Sequence, residues 1–543
     1  MVACATAVAQ PPLVYSRSIY NAASYMPPGL AAGAIARGSI FSIFGTRLGP
    51  TTPVTANTYP LGTTLGNVSI TFKQGATTVN VLPIYVSPSQ INAIMPSNAP
   101  LGAGSLQVGV NGSRGNQVPV VVANSSFGIF TALGSGRGPG ILQNFVTQSD
   151  QPINSPTISA QPGQIITLWG TGLGPVPSDT VAPSAGNLAT PTELFVGGVS
   201  ATVLYNGRAP CCAGTDQIVF KVPDNAPLGC WVPVYVRTGG TAVSNFITMS
   251  IQSGGGLCAT DIFPEISGTL VSGGKAAVAG VIRASTRHDV GLKTPVDVTA
   301  DHYAYFAASA PAVPFPYHPY LSYMPTGTCM VYSGQGDFLG GDTLPGTFPS
   351  VKPLNLGSSL SLTGPSGSSV LSPQAAGSIG SGYLGGVFAN NPSTLVLNPG
   401  SYTLSGSGGT DVGAFSNTFS VPQPLVWTGR NQLSVVDRKQ PLTISWTGGD
   451  SGQVVAVIGF GEDIPVNSSV VFACLAKPGA SSVTIPADIL SALPPTHGNP
   501  LRSKDVIYLV TVPGSSIQPI KATGLDKGVS GYVLIQGKTV TYQ

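Results

Sequence analysis

The chain has 543 residues, room for about three to five domains of ordinary size. Only 8% of residues are charged and the net charge is +3, against about 25% charged in ordinary globular domains; no Lys/Arg cluster occurs, which excludes a nucleic-acid footprint. The hydrophobic fraction of 42% excludes a disordered chain, no run of about 20 apolar residues forms a transmembrane segment, and the neutral polar surface left to Ser, Thr, Asn and Gln makes self-association easier.

The N-terminus, "MVACATAVAQPP", is apolar and rich in small residues, and Ala7-Val8-Ala9 reads as an A-x-A cleavage site. Residues 1–12 are therefore expected to be the remnant of an export signal or a flexible N-terminus. In the first reading Cys4 is removed; lipidation of Cys4 is the alternative. From there on, short β-branched or aromatic runs bounded by Gly, Pro, Asn or Ser dominate, among them "NVSITF", "TVNVLPIYV", "QIITLWG", "VPVYVRT", "LTISW" and "VIYLVTV". Helical periodicity is almost absent. The best helix candidate is "PADILSALPP", where Pro486 can open and Pro494 must close two turns. Many short strands with regular turn signals predict an all-β chain of sandwiches or barrels.

One pentapeptide, N-A-P-L-G, occurs at Asn98–Gly102 and again at Asn225–Gly229. The repeat is wider than its five residues. "GSIFSIFGTRLGP" from Gly38 matches "GQIITLWGTGLGP" from Gly163, and "SQINAIMPSNAPLG" matches "DQIVFKVPDNAPLG", with Gln90 standing where Gln217 does. The offsets, 125 and 127, differ by two residues, which a loop absorbs. Residues 13–128 and 129–252 are thus expected to be two copies of one β domain. N-A-P-L-G reads as a corner after the Q-I strand, since Pro fixes φ and Gly permits a positive one.

G-T-x-L-G after an apolar strand resembles the IPT/TIG family of immunoglobulin-like domains. The ordered set "YNAASYMPPGLAAGAIARGSIFSIFGTRLG", "PIYVSPSQINAIMP", "WGTGLGPV" and "CCAGTDQIVFKVPDNAPLGCWVPVYV" is similar to the uncharacterised Solibacter-type C-terminal module of secreted acidobacterial proteins, over about residues 15–250. That resemblance implies export and immunoglobulin-like sandwiches. It implies no known activity, so no catalytic residue carries over. The module usually ends a polypeptide, whereas here a further half of the chain follows. "SGGGLC" reads as a linker, residues 258–420 as a third β domain with a Pro/aromatic insertion, and residues 421–543 as a fourth. Trp427 and Trp446, in two W-T-G turns, are expected on adjacent strands sharing one core. The segment "LTISWTGGD…FACLAKPG…TIPADILSALPP" resembles a companion of the same secreted family.

Of seven cysteines, setting Cys4 aside leaves Cys211, Cys212, Cys230, Cys258, Cys329 and Cys474. An even count in an exported chain predicts disulfides. Zinc wants C-x2-C pairs or nearby His, and neither occurs. Cys211 and Cys212 are expected to reach Cys230 and Cys258, in an order the sequence leaves open, and Cys329 to pair with Cys474, tying the third domain to the fourth.

Catalytic signatures are absent: no G-x-S-x-G, no H-E-x-x-H, no C-x-x-C, no P-loop. His302 beside Asp301 and His288 beside Asp289 could join a metal or acid–base site, though isolated surface histidines, like His318 and His497, are the plainer reading. Asp337 and Asp342 could ligate calcium or simply sit in a loop. Aromatic residues crowd residues 302–324: Tyr303, Tyr305, Phe306, Phe315, Tyr317, Tyr320 and Tyr323. Exposed, they would stack on sugars or anchor an interface; buried, they would fold over their own sheet. Four N-x-S/T sequons, at Asn67, Asn111, Asn124 and Asn467, are expected to be silent in a bacterial protein.

The expectation is an extracellular or cell-surface, non-enzymatic structural or adhesive protein of about four immunoglobulin-like domains, without cofactor or metal. Its partners would be itself, with fibre formation through unpaired sheet edges such as one offered by "VYSRSIYNAASY", or a surface polysaccharide. Carbohydrate binding through residues 302–324 is the alternative, and an enzyme site assembled within residues 258–543 the third reading.

Overall fold

The computed structural model describes residues 10–258, 266, 269, 273–292, 294–309, 317, 322–335, 352–375, 381–386, 397–449, 452–497, 505–512 and 517–543. Among the described residues the fold is all-β, its strands gathered in several sheets, apart from one short α-helix and two short 3-10 turns. The expected helix is present but shorter, five residues over Ala487–Ser491, opened at Pro486 and burying Ile489 and Leu490. The chain forms two compact units: Met1–Asn154, Gln161–Ala226 and Val234–Ile247 make the first, and Ser155–Ala160, Pro227–Pro233 and Thr248–Gln543 the second.

In the first unit, the repeat seen in sequence is a repeat of strand order and register. In the first copy the hydrogen-bonded order runs Leu13–Asn21, Ile40–Thr46, Gln90–Ile94, Thr77–Val86, Val68–Gln74, Gly102–Val110, Ser113–Ala123. In the second it runs Ile165–Thr171, Asp216–Lys221, Val199–Arg208, Thr192–Val196, then Gly229–Thr238. Phe44 pairs with Gln90, and Trp169 pairs with Gln217. In each copy one strand changes partners midway. Thr77–Val86 pairs first with Val68–Gln74, then with Gln90–Ile94, across an irregularity between Pro83 and Tyr85. Val199–Arg208 does the same, with its irregularity between Val203 and Tyr205. A bulge bends a strand and raises its twist, which lets one strand serve two layers of a sandwich. Pro83 is tolerated in mid-strand because it sits at that bulge.

The alternating strands turn Ile43, Val68, Ile70, Phe72, Val81 and Val108 inward, all with 1% exposure or less. The 13–21 segment, considered above as a strand offered to a neighbour, is taken up by its own module. It pairs with Ile40–Thr46, and beyond that pairing the Asn116 side chain accepts from Val14 N at 2.9 Å and donates to Val14 O at 3.0 Å.

The second unit is dominated by one long sheet. Lys275–His288 and Val296–Ser309 form a hairpin of fourteen-residue strands. On its other side, Lys275–His288 pairs in parallel with Lys527–Thr539, from Ala276 opposite Lys527 to Arg287 opposite Lys538. Cys329–Gln335 pairs with Ser468–Leu475. Strands from both sides of residue 420 therefore alternate in one sheet, and the expected 420/421 boundary does not separate two self-contained domains. Parallel pairing of segments some 250 residues apart leaves no local mark in the sequence. Trp427 stands directly opposite Trp446 on neighbouring strands, both buried, the placement that the two W-T-G turns predict.

Candidate functional site

The described aromatic residues of the 302–324 segment are not an exposed platform. Tyr303 and Tyr305 project to the inner face of Val296–Ser309 with no exposure. The Tyr305 ring stacks on Phe415 at 5.4 Å, and burial pushes its phenol far above the ordinary range. Tyr317 is buried edge-on to Trp231 at 5.4 Å, with its hydroxyl 2.8 Å from that of Tyr332. Phe306 and Tyr323 are half-buried. Phe315 and Tyr320 lie outside the described residues, as do His318, Asp337, Asp342 and residues 1–9. For Tyr303, Tyr305 and Tyr317 the glycan-platform expectation is corrected: Tyr303 and Tyr305 are buried large side chains of the long antiparallel hairpin, and Tyr317 is buried against Trp231.

The cysteines also differ in part from expectation. Cys230 is bonded to Cys258, and Cys329 to Cys474, its direct register partner. Cys211 and Cys212 are bonded to each other instead of reaching Cys230 and Cys258. The dipeptide occupies an exposed turn closed on itself, Ala209 N donating to Thr215 O at 2.9 Å and Cys212 N to Ala209 O at 3.2 Å. That turn holds both sulfurs within reach of each other.

Each carboxylate beside a histidine is already engaged. Asp301 accepts both arms of the Arg283 guanidinium at 2.8 Å and Leu397 N at 3.0 Å. Asp289 is held by Lys538, whose side chain has no exposure, and lies 3.6 Å from Arg287. Asp297 joins Arg287 at 2.8 Å and Arg430 at 3.4 Å. In a chain this poor in charge, these groups form a network across three adjoining strands. Burial holds His302 below the ordinary imidazole value, against the pull of Asp301. Among the described residues, no group of three or more His, Cys, Asp or Glu is placed to hold a metal, and no helix is long and apolar enough to cross a membrane.

The most elaborate polar arrangement was not foreseen from the sequence. It is the seam between the two copies of the first unit. Arg208 and Asp216, 3% and 0% exposed, form a buried ion pair. The Arg208 guanidinium also donates to Gly38 O at 2.8 Å in the first copy and to Gly174 O at 2.9 Å in the second. Asp216 accepts Gly172 N at 2.6 Å and Leu173 N at 2.8 Å. Burial pushes the Asp216 carboxyl up; Arg208 and the two amides work against it. Thr171 accepts Ile40 N at 2.8 Å and donates to Gly214 O at 2.6 Å. Asn21 donates to Thr171 O at 3.2 Å, and Asp179 accepts from Ser97 N and Oγ at 2.7 and 2.8 Å. In the second copy, G-T-G-L-G is therefore the clasp itself. Its signal in sequence was "RAPCCAGTD", two charges closely flanking a turn in a chain with few. Two hollows of about 310 and 380 Å³ beside the seam share Val176, Pro177 and Asp179.

No family model matches the chain, and no curated protein does. Among solved structures it has slight likeness to a γ-cyclodextrin glucanotransferase (γ-CGTase) of an alkalophilic Bacillus clarkii, at 10% identity and TM-score 0.15, spanning half of this chain and 34% of that one. A Bacteroides ovatus protein of a mixed-linkage glucan utilization locus, solved with a heptasaccharide, is 14% identical over 85% of this chain and 89% of its own, at TM-score 0.14. The Escherichia coli adhesin FdeC is 11% identical over 74% and 94%, at TM-score 0.13. None of these transfers a site or an activity to this chain; the strand order above describes its fold.

Proposed function

We propose that the protein is an exported, non-enzymatic structural or adhesive element of the cell surface or extracellular matrix, carrying a Solibacter-type module of IPT/TIG-like domains over about residues 15–250. The observation that carries this reading is the buried seam. Two register-matched sandwiches joined by a desolvated ion pair and several backbone clasps make a stiff tandem unit, whereas beads on a flexible linker need no such seam. Stiff tandem sandwiches suit load-bearing or display. Oxidised cysteine pairs support an oxidising compartment. Within this reading the chain is organised as modules over residues 13–128 and 129–252, followed by a composite third and fourth region, and it assembles with copies of itself through sheet edges. A polysaccharide partner would need contacts other than Tyr303, Tyr305 and Tyr317.

Fractionation of the native cells, with electron microscopy of the extracellular material, tests the reading. Protein found outside the cytoplasm with its cysteines oxidised supports it. Reduced protein confined to the cytoplasm overturns it.

A further inference from the structure

The second unit contains a cavity of about 370 Å³, within the range of about 300–1,000 Å³ typical of small-molecule sites. Its floor is one face of the long sheet. Along each contributing strand, alternate residues point to opposite faces. Val457, Phe472, Leu509 and Leu534 fill the core on one side and are buried. On the cavity side, Ile458, Val510 and Val533 are apolar yet only half-buried, and Val278 is exposed.

The hollow has a cause in the sequence. Small residues come from four of five neighbouring strands: Ala473 opposite Ile458, Ala456 opposite Val510, and Gly280 opposite Gly531 in the parallel pair. A sheet face that lacks side chains at its centre leaves a space beneath whatever covers it. A Cβ added to Gly280 would meet nothing nearer than Ile282 Cγ1 at 3.9 Å, so the space begins at the backbone.

Among the described residues, no charged one lines the cavity. Several of its few polar groups already have partners: Thr511 accepts Leu534 N at 2.8 Å, the Tyr332 hydroxyl lies 2.8 Å from that of Tyr317, and Ser530 bonds Asn417. Water gains few hydrogen bonds in such a space, and a charged head group would be desolvated without a counter-charge. An uncharged apolar guest loses nothing on entry and removes apolar surface from water. We infer that this cavity is a binding site for a neutral, lipid-like small molecule, of the class of medium-chain alcohols and hydrocarbons. The inference does not depend on the structural role proposed above.

The test uses the full chain with its disulfides intact. The neutral fluorophore N-phenyl-1-naphthylamine is titrated into the protein and then displaced with 1-decanol or with decanoate. The expected result is a saturable, one-to-one fluorescence gain, displaced by decanol at least tenfold more effectively than by decanoate. Gly280→Val and Ala473→Leu each place methyl groups in the hollow. Both are expected to weaken fluorophore binding at least tenfold while the melting temperature holds or rises; either variant alone suffices if the other fails to fold. Absence of saturable binding, wild-type affinity in the folded variants, or displacement by decanoate as good as by decanol would overturn the inference.

Discussion

Arg208 and Asp216 show how a few side chains can set the geometry of two modules. Each is expensive to bury alone, and each is compensated by the other and by backbone groups of both copies. Asp216→Asn leaves Arg208 buried without a counter-charge, an error that costs about 3–5 kcal/mol when a buried pair is broken. Chemical denaturation is expected to show a loss of that size, with much of it recovered in the double variant Arg208→Met/Asp216→Leu. Gly38 belongs to the same clasp. Its φ is +68° and a Cβ there would strike the Arg208 guanidinium, so Gly38→Ala is expected to destabilise through both strain and the seam, while Gly75→Ala, at φ +57° with open space around it, measures the strain alone. His302 gives a pH dependence. Its folded value lies below the ordinary imidazole value of about 6.5, so below that pH the unfolded chain binds the extra proton first. Stability then falls as pH drops from about 6.5 toward the folded value. His302→Gln is expected to flatten that part of the pH–stability profile. Residue-scale reading also accounts for three of the sequons: Asn67, Asn111 and Asn467 have φ of 62°, 50° and 50°, the left-handed turn conformation that asparagine tolerates. These asparagines serve turns.

At the scale of elements, the three disulfides differ in what they constrain. Cys329–Cys474 closes a segment with a sequence separation of 145, and Cys230–Cys258 one of 28. Loop-closure entropy gives about 5 and about 3.5 kcal/mol respectively. The vicinal pair closes no loop of the unfolded chain. Replacing Cys329 and Cys474 together by Ser is expected to cost several kcal/mol by denaturant titration, and replacing Cys211 and Cys212 together close to nothing. Elements were unevenly legible in the sequence. The strand runs, the repeat and the opposed Trp427 and Trp446 were readable because their signals are local: alternation, turn residues and W-T-G spacing. The parallel pairing of Lys275–His288 with Lys527–Thr539 was not, since each strand is locally the same string whichever partner it takes. The partner of Cys211 was misread for the same reason. Cysteine parity counts bonds but does not say which turn brings two sulfurs together.

At the scale of the whole molecule, low charge and sheet edges set the terms of association. The N-terminal strand is paired within its own module on one side and stands at the end of that module's strand order. Electron microscopy and light scattering at high protein concentration are expected to show ordered oligomers or fibres that persist in high salt, because few charges are available to be screened. Monodisperse monomer throughout would exclude the polymeric form. By itself, the sequence determined the β class, the two-copy repeat and the absence of any recognisable catalytic motif, all of which follow from nearest-neighbour chemistry and periodicity along the chain. Only the tertiary structure decided that Arg208 and Asp216 clasp the copies, that Tyr303 and Tyr305 are core residues, and that small residues from four strands open a cavity. Those outcomes depend on which distant segments lie side by side, and burial, charge pairing and empty space are properties of that juxtaposition.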